Sequence, residues 1–263
     1  MHTTHNSPVT YQLNDKSEQA FTLNDAIGKN FSIKATGNIF CVACGNKTKN
    51  SFRQGYCYPC TLKLAQCDIC IIKPEQCHYD QGTCREPEWG ETHCFQDHTV
   101  YLAKSSHIKV GITRATPTRW IDQGAVEALP IYKVKNRLIS GLVETIYKNY
   151  VSDKTDWRKM LKNITAEGNL IEMRQQLFSE SKTEMSYFSP EISNGIEQLT
   201  EEPVVKIEFP VLEYPKKITS ANLQKKYLFE GQMMGIKGQY VLLDTGVLNI
   251  RKFAGYEVEI EFS

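Results

Sequence analysis

The chain has no apolar run approaching the roughly 18 to 20 residues that cross a bilayer, so no membrane contact is expected. Its start, Met1-His2-Thr3-Thr4-His5, lacks a basic cluster followed by an apolar stretch, which argues against a signal peptide and makes a cytoplasmic location the expectation. No excess of one charge exists: 31 Lys and Arg face 30 Asp and Glu, a net of +1, which speaks against a protein that coats nucleic acid indiscriminately. There is no phosphate-cradling Gly-rich loop, no Ser or Cys nucleophile pattern, no internal repeat and no low-complexity segment. Hydrophobic content, 41%, is ordinary for a globular protein, and 263 residues suffice for one large domain or a few small ones.

What is abundant is cysteine. All nine fall between Cys41 and Cys94, and the series opens with Cys41-Val-Ala-Cys44-Gly45 followed by Cys57-Tyr-Pro-Cys60. Two thiolates separated by two residues can turn toward one centre, and two such pairs complete a tetrahedral shell. In a reducing compartment, an odd number of cysteines favours metal over disulfides. The spacing predicts a zinc knuckle at Cys41, Cys44, Cys57 and Cys60, with a helix starting near Cys60 in a treble-clef-like arrangement. The later residues Cys70, Cys77, Cys84 and Cys94 are the expected second zinc shell, with Cys67 and His78 as rivals. If the helix from Cys60 runs on to Asp68, Cys67 is a core thiol instead. Both zinc ions are read as structural. A four-cysteine iron–sulfur cluster ranks behind them because no recognised cluster signature appears.

The expected fold class is α+β. Residues 1–40 read as short N-terminal strands, 41–98 as the zinc-binding region, 99–162 as a small α/β module, 163–203 as a helical connector and 204–263 as a β domain. The module reads strand Thr99 to Ala103, strand Ile108 to Thr113, a short helix from Pro117, strand Leu129 to Val134 and a helix from Arg137 to about Tyr150. In the connector, Asn169 to Phe178 and Pro190 to Leu199 read as helices. Strands at Val204–Val211, Tyr227–Ile236, Tyr240–Leu243, Val247–Ile250 and Tyr256–Phe262 suggest a small barrel or curled sheet that the N-terminal strands can join. The module is basic, with twelve Lys or Arg against five acids from Thr99 to Lys162, and the stretch to Phe209 reverses the sign with nine glutamates. A phosphate-bearing partner fits the basic segment, and so does an evenly solvated surface.

Within the module, Thr99-Val-Tyr101, Lys109-Val-Gly111, Arg119 and Glu144 follow one another in an order that resembles the GIY-YIG nuclease core, closest to its phage-type branch. The departures are Thr99 in place of the first glycine, Lys109 in place of the second tyrosine, and a short interval between Arg119 and Glu144. The resemblance implies a Mg²⁺- or Mn²⁺-dependent phosphodiesterase acting on DNA or RNA. Tyr101 would position or activate water, with Lys109 lowering the phenol's pKa or touching phosphate. Arg119 would hold the phosphate and Glu144 the divalent cation. The whole chain further resembles a bacterial family of no assigned activity that joins such a core to a cysteine-rich front and a strand-rich tail carrying Gly235-Ile-Lys-Gly-Gln-Tyr240. The competing expectations are a non-catalytic nucleic-acid-binding adaptor and a zinc-built scaffold for protein–protein interaction.

Overall fold

The computed structural model describes residues 1–14 and 19–263. Three antiparallel sheets organise it, and the central one carries the candidate site. Its strands are numbered here within the whole chain: β1 (His2–Thr4), β2 (Thr10–Asn14), β3 (Ala20–Thr22) and β4 (Asn30–Ile39) precede β5 (His98–Lys104), β6 (Ile108–Thr113) and β7 (Glu127–Val134). After these come β8 (Ile196–Gln198), β9 (Val205–Lys206), β10 (Leu228–Lys237), β11 (Tyr240–Leu243), β12 (Gly246–Asn249) and β13 (Tyr256–Phe262). The helices are α1 (Tyr58–Lys63), α2 (Pro87–His93), α3 (Thr118–Asp122), α4 (Arg137–Tyr147), α5 (Trp157–Leu161), α6 (Leu170–Glu180), α7 (Lys182–Met185) and α8 (Pro190–Ser193).

The central sheet has the order β6-β5-β7-β8, with β9 also paired to β7. Both of its faces are covered, which is why β5 reads as a nearly continuous apolar run and not as an alternation. Val100 and Leu102 face Val143 of α4 and Leu170 and Leu177 of α6. Tyr101 and Ala103 face the opposite way, into a core shared with Trp120, Ile121, Phe209 and Met233. Helix α4 starts where Asn136 Oδ1 accepts the amide of Ile139 at 2.9 Å, a side-chain cap on an otherwise unpaired donor. Its buried stripe is Ile139, Val143 and Tyr147, one residue per turn.

The second large sheet runs β12-β11-β10-β4-β13, so the N-terminal β4 lies between two strands from the other end of the chain. Of the two expected forms, barrel or curled sheet, the barrel is not formed: among the described residues β12 and β13 remain the two edges of an open sheet, which the N-terminal β4 joins as expected. Closure is unnecessary because β2 and the turn Leu23–Ala26 cover the apolar face, burying Val9, Tyr11 and Leu23 against Phe31, Ile33 and Phe229. The β13 edge carries Glu257, Glu259 and Glu261 at alternate positions, a charged border that discourages edge pairing.

Three expected elements are shorter or different. Helix α1 stops at Lys63 and does not reach Asp68. Arg85 Nη1 takes the carbonyls of Thr61 and Leu64 at 3.0 and 3.4 Å, while Glu86 Oε2 accepts the amide of Ala65 at 2.6 Å, which ends the helix from outside. The segment expected as a helix from Pro190 to Leu199 breaks after Ser193 and returns to the central sheet as β8. The strand expected over Val204–Val211 pairs only at Val205–Lys206. Among the described residues, no helix is long and apolar enough to cross a membrane.

Candidate metal centres and candidate nuclease-like site

Cys41, Cys44, Cys57 and Cys60 bring their sulfurs within 4.8 Å of one another, and Cys44 Sγ lies 3.8 Å from Cys57 Sγ. A tetrahedral zinc with bonds of about 2.3 Å separates its sulfurs by about 3.8 Å. The knuckle forms because Gly45 takes φ +72°, letting its amide reach the Cys41 carbonyl at 2.9 Å. Burial opposes a thiolate at Cys41, but amides of Cys57, Cys44 and Ala43 point at the sulfur and bring its pKa down to about 6. Helix α1, six residues long, contributes Cys57 as its N-cap and Cys60 in its first turn. The group is suited to a metal ion, zinc by its donor set.

The later cysteines divide. Cys67 is buried at 1% exposure and lies outside the tetrad, although the helix to Asp68 that would have made it a core thiol is not formed. Cys70, Cys77, Cys84 and Cys94 all line one enclosed cavity of about 20 Å³, together with Asp68, Tyr79 and Phe95. The tight grouping within 4.8 Å in this region is instead Asp68, Cys70 and His78, a second set able to hold a metal ion. Asp68, however, is engaged elsewhere: Oδ2 lies 2.7 Å from Arg85 Nε and Oδ1 accepts the amide of Ile69 at 2.5 Å. Among the described residues, the cysteine region contributes no side chain to the three apolar clusters that hold the rest of the molecule together.

In the central sheet, the register sets Tyr101 opposite Gly111 and Ala103 opposite Lys109, so the phenol and the ammonium share a face. The ring of Tyr101 lies over Gly111, where a Cβ would come within 2.7 Å of Cζ and of the hydroxyl. The phenol is fully buried and donates to Gln123 Oε1 at 3.2 Å. Burial pushes its pKa up to about 12, Arg119 draws it down, and Glu144 pushes it up. Lys109 is lowered to about 8, first by burial and then by Arg119, with Glu144 and Asp153 opposing. Arg119 is exposed on α3.

Glu144 is only 12% exposed and makes an i,i+4 ion pair with Lys148 at 3.0 Å; Asp153 stands 3.8 Å from the same ammonium. Burial raises the pKa of Glu144, Lys148 lowers it, and Asp153 and Glu75 raise it further. The phenol and the ammonium thus each lie within electrostatic reach of the Arg119 guanidinium and the Glu144 carboxylate. On the outer side of β6 the amide of Val110 donates to the Ser152 carbonyl at 3.0 Å, bringing the segment that carries Asp153 alongside Lys109.

Sequence reasoning passed over Glu75, Gln123, Lys148 and Asp153. Lys148 was legible as the i,i+4 partner of Glu144. Glu75 carried no signal: it arrives from the cysteine region, where the turn Pro74–Gln76 packs on Gly141 of α4. Its Oε2 is buried with no hydrogen-bond partner.

A mixed α+β protein with a four-cysteine knuckle is thereby defined. The family described as "Protein of unknown function (DUF2797)" matches residues 28–258, and the chain belongs to it. The match takes in the cysteine region, the central sheet and most of the second sheet. No curated protein and no solved structure matches the chain.

Proposed function

We propose that the protein acts on nucleic acid as a Mg²⁺-dependent phosphodiesterase, with a GIY-YIG-like central module and structural zinc. The observation that carries the reading is that Tyr101 and Lys109, on one face of the β5–β6 pair, each lie within electrostatic reach of both Arg119 and Glu144, groups far apart in the sequence. The exposed Arg119 binds the substrate phosphate. The buried phenol of Tyr101 acts as a positioning group, holding Gln123 and Arg119 and not touching water.

Glu144 is the residue that would hold a divalent cation, with Asp153 beside the same Lys148 ammonium and Glu75 near enough to raise the Glu144 pKa. Hard oxygen donors of this kind suit Mg²⁺, which when bound neutralises charge on the phosphate. In the reaction, the oxygen of water forms a bond to phosphorus while a bridging P–O bond breaks. The proton of that water passes to the neutral form of the Lys109 amine, and the departing oxygen takes a proton from solvent.

The test is incubation of the full chain with labelled single- and double-stranded DNA and RNA in Mg²⁺ or Mn²⁺. Cleavage lost by 100-fold or more, on the order of a transition-state contact, is expected in Glu144→Ala and Arg119→Ala. A second reading is favoured by two specific observations, the complete burial of Tyr101 and the Lys148 ion pair on Glu144. In that reading the module is a non-catalytic nucleic-acid-binding adaptor. Binding that falls steeply with salt, without cleavage and without effect of Glu144→Ala, selects the adaptor. Absence of binding to any oligonucleotide at low salt refutes both.

A further inference from the structure

We infer that Cys70, Cys77, Cys84 and Cys94 form a second thiolate zinc centre whose ion clamps helix α4 and presents Glu75 to Glu144. The four residues stand around an enclosed space of about 20 Å³ without meeting the close spacing of the first tetrad. A space of that size holds about one water-sized sphere. Water there would meet mainly thiols and apolar or aromatic side chains, with Asp68 already held by Arg85, whereas a d¹⁰ ion takes four sulfurs in a tetrahedron. Binding draws the sulfurs inward onto the ion.

The alternative set, Asp68 with Cys70 and His78, is tighter in space but already committed. The carboxylate of Asp68 neutralises Arg85, and Arg85 in turn caps the last carbonyls of α1. Recruiting Asp68 to a metal would release that guanidinium. His78 uses its Nδ1 on Thr83 Oγ1 at 2.8 Å, and its Nε2 lies 3.5 Å from Asp68. Asp68 and Arg85 therefore form an ion pair beside the cavity, with His78 and Cys70 next to the carboxylate.

The ligands come from separate short turns with no sheet to hold them. Cys70 lies in the turn Ile69–Ile71, Cys77 ends the turn Pro74–Gln76, and Cys94 ends α2. All three touch α4 through their neighbours. Arg137 Nη2 donates to the Ile71 carbonyl at 2.5 Å, and the Arg137 amide donates to the Cys94 carbonyl at 2.8 Å. Between Cys70 and Cys77, the backbone of Glu75 presses on Gly141 so closely that a Cβ there would lie 2.6 Å from the Glu75 nitrogen. One ion joining Cys70, Cys77 and Cys94 thus fixes both sides of the α4 N-terminal half. The centre stands on its own; only its service to Glu144 rests on the phosphodiesterase reading.

Metal content of the full chain, measured by mass spectrometry, tests this. About two zinc ions per chain are expected, falling to about one in the Cys84→Ser, Cys94→Ser double variant and remaining at two in the Asp68→Asn, His78→Asn double variant. Hydrogen exchange in the cysteine variant should quicken across α4 relative to β10 and β11. Retention of both ions without Cys84 and Cys94, or loss of one without Asp68 and His78, overturns the proposal. So does iron with visible absorption. If the cysteine variant does not fold, Co²⁺ exchanged into the native chain decides: a thiolate-to-cobalt band corresponding to two four-thiolate sites supports the centre, and a band for one refutes it. Metal counts do not depend on phosphodiester cleavage, so either idea can fail without the other.

Discussion

Gly141→Ala sets two opposing effects of known size against each other. Gly141 lies inside α4, where replacing glycine by alanine in an unobstructed helix gains about 1 kcal/mol. Space argues the other way. The new Cβ would stand 2.6 Å from the Glu75 nitrogen, 2.6 Å from Pro74 Cβ and 2.9 Å from the Pro74 carbonyl carbon. Ordinary carbon contacts lie at about 3.5 to 4.0 Å, so the turn must retreat by close to 1 Å. It cannot do so by rotating a side chain, because the obstructing atoms are backbone and a proline ring. Overpacking of this kind costs about 1 to 3 kcal/mol, and the Arg137 bond to Ile71 is strained in addition.

The net expectation is a loss of up to about 2 kcal/mol where helix propensity alone gives a gain. Gly90→Ala in α2 supplies the comparison, since its Cβ meets Tyr79 and the Cys84 sulfur at 3.5 and 3.6 Å, ordinary contact distances. That variant should be neutral or more stable. Urea unfolding of the zinc-loaded proteins, with unchanged m-values, measures both. A Gly141→Ala protein more stable than the parent would refute the close approach of the cysteine region to α4, and with it the clamp.

Three further expectations concern stability and metal. His98 is buried, and burial lowers its pKa to about 4 from 6.5; the unfolded chain therefore binds more protons between those values, and stability falls as pH drops through that window by about 3 kcal/mol in total. His98→Phe should flatten the slope between pH 6.5 and 4, and parallel urea curves for the two proteins would count against it. The hydroxyls of Tyr132 and Tyr147 lie 2.8 Å apart, with Ser181 Oγ 3.0 Å from Tyr147, so Tyr147→Phe should cost about 1 to 3 kcal/mol. In a double-mutant cycle with Tyr132→Phe the two losses should not add; full additivity would mean that the chain of hydroxyls is not a unit. Cys57→Ser should lower the zinc content by about one ion per chain, and an unchanged count would dismiss the tetrad.

The parts legible in the sequence are those whose determinants are local. The tetrad could be read because two short spacings and Gly45 fix its geometry within a few residues, and β5, β6 and α4 because burial imposes a pattern over one or two turns or strands. What was hidden is set by distant partners. Helix α1 has nothing in its own sequence to stop it at Lys63; Arg85 and Glu86 do so from beyond the next turns. The open form of the second sheet depends on β2 arriving to cover it, which no feature of β10 to β13 announces.

Glu75 is the instructive case. In sequence it is one glutamate after a proline among widely spaced cysteines. In space, its buried oxygen and its influence on Glu144 depend on Gly141 having no side chain and on Arg137 reaching Ile71. Neither cause is local, yet both act on the same turn, the one between Cys70 and Cys77. A chain without an apolar core in this stretch needs something other than packing to fix the ends of such a turn against α4, and the proposed zinc at Cys70, Cys77, Cys84 and Cys94 would supply it. On that proposal the abundance of cysteine and the placing of a carboxylate against α4 have one cause: the metal would stand in for the missing core and stiffen the surface that meets Glu144.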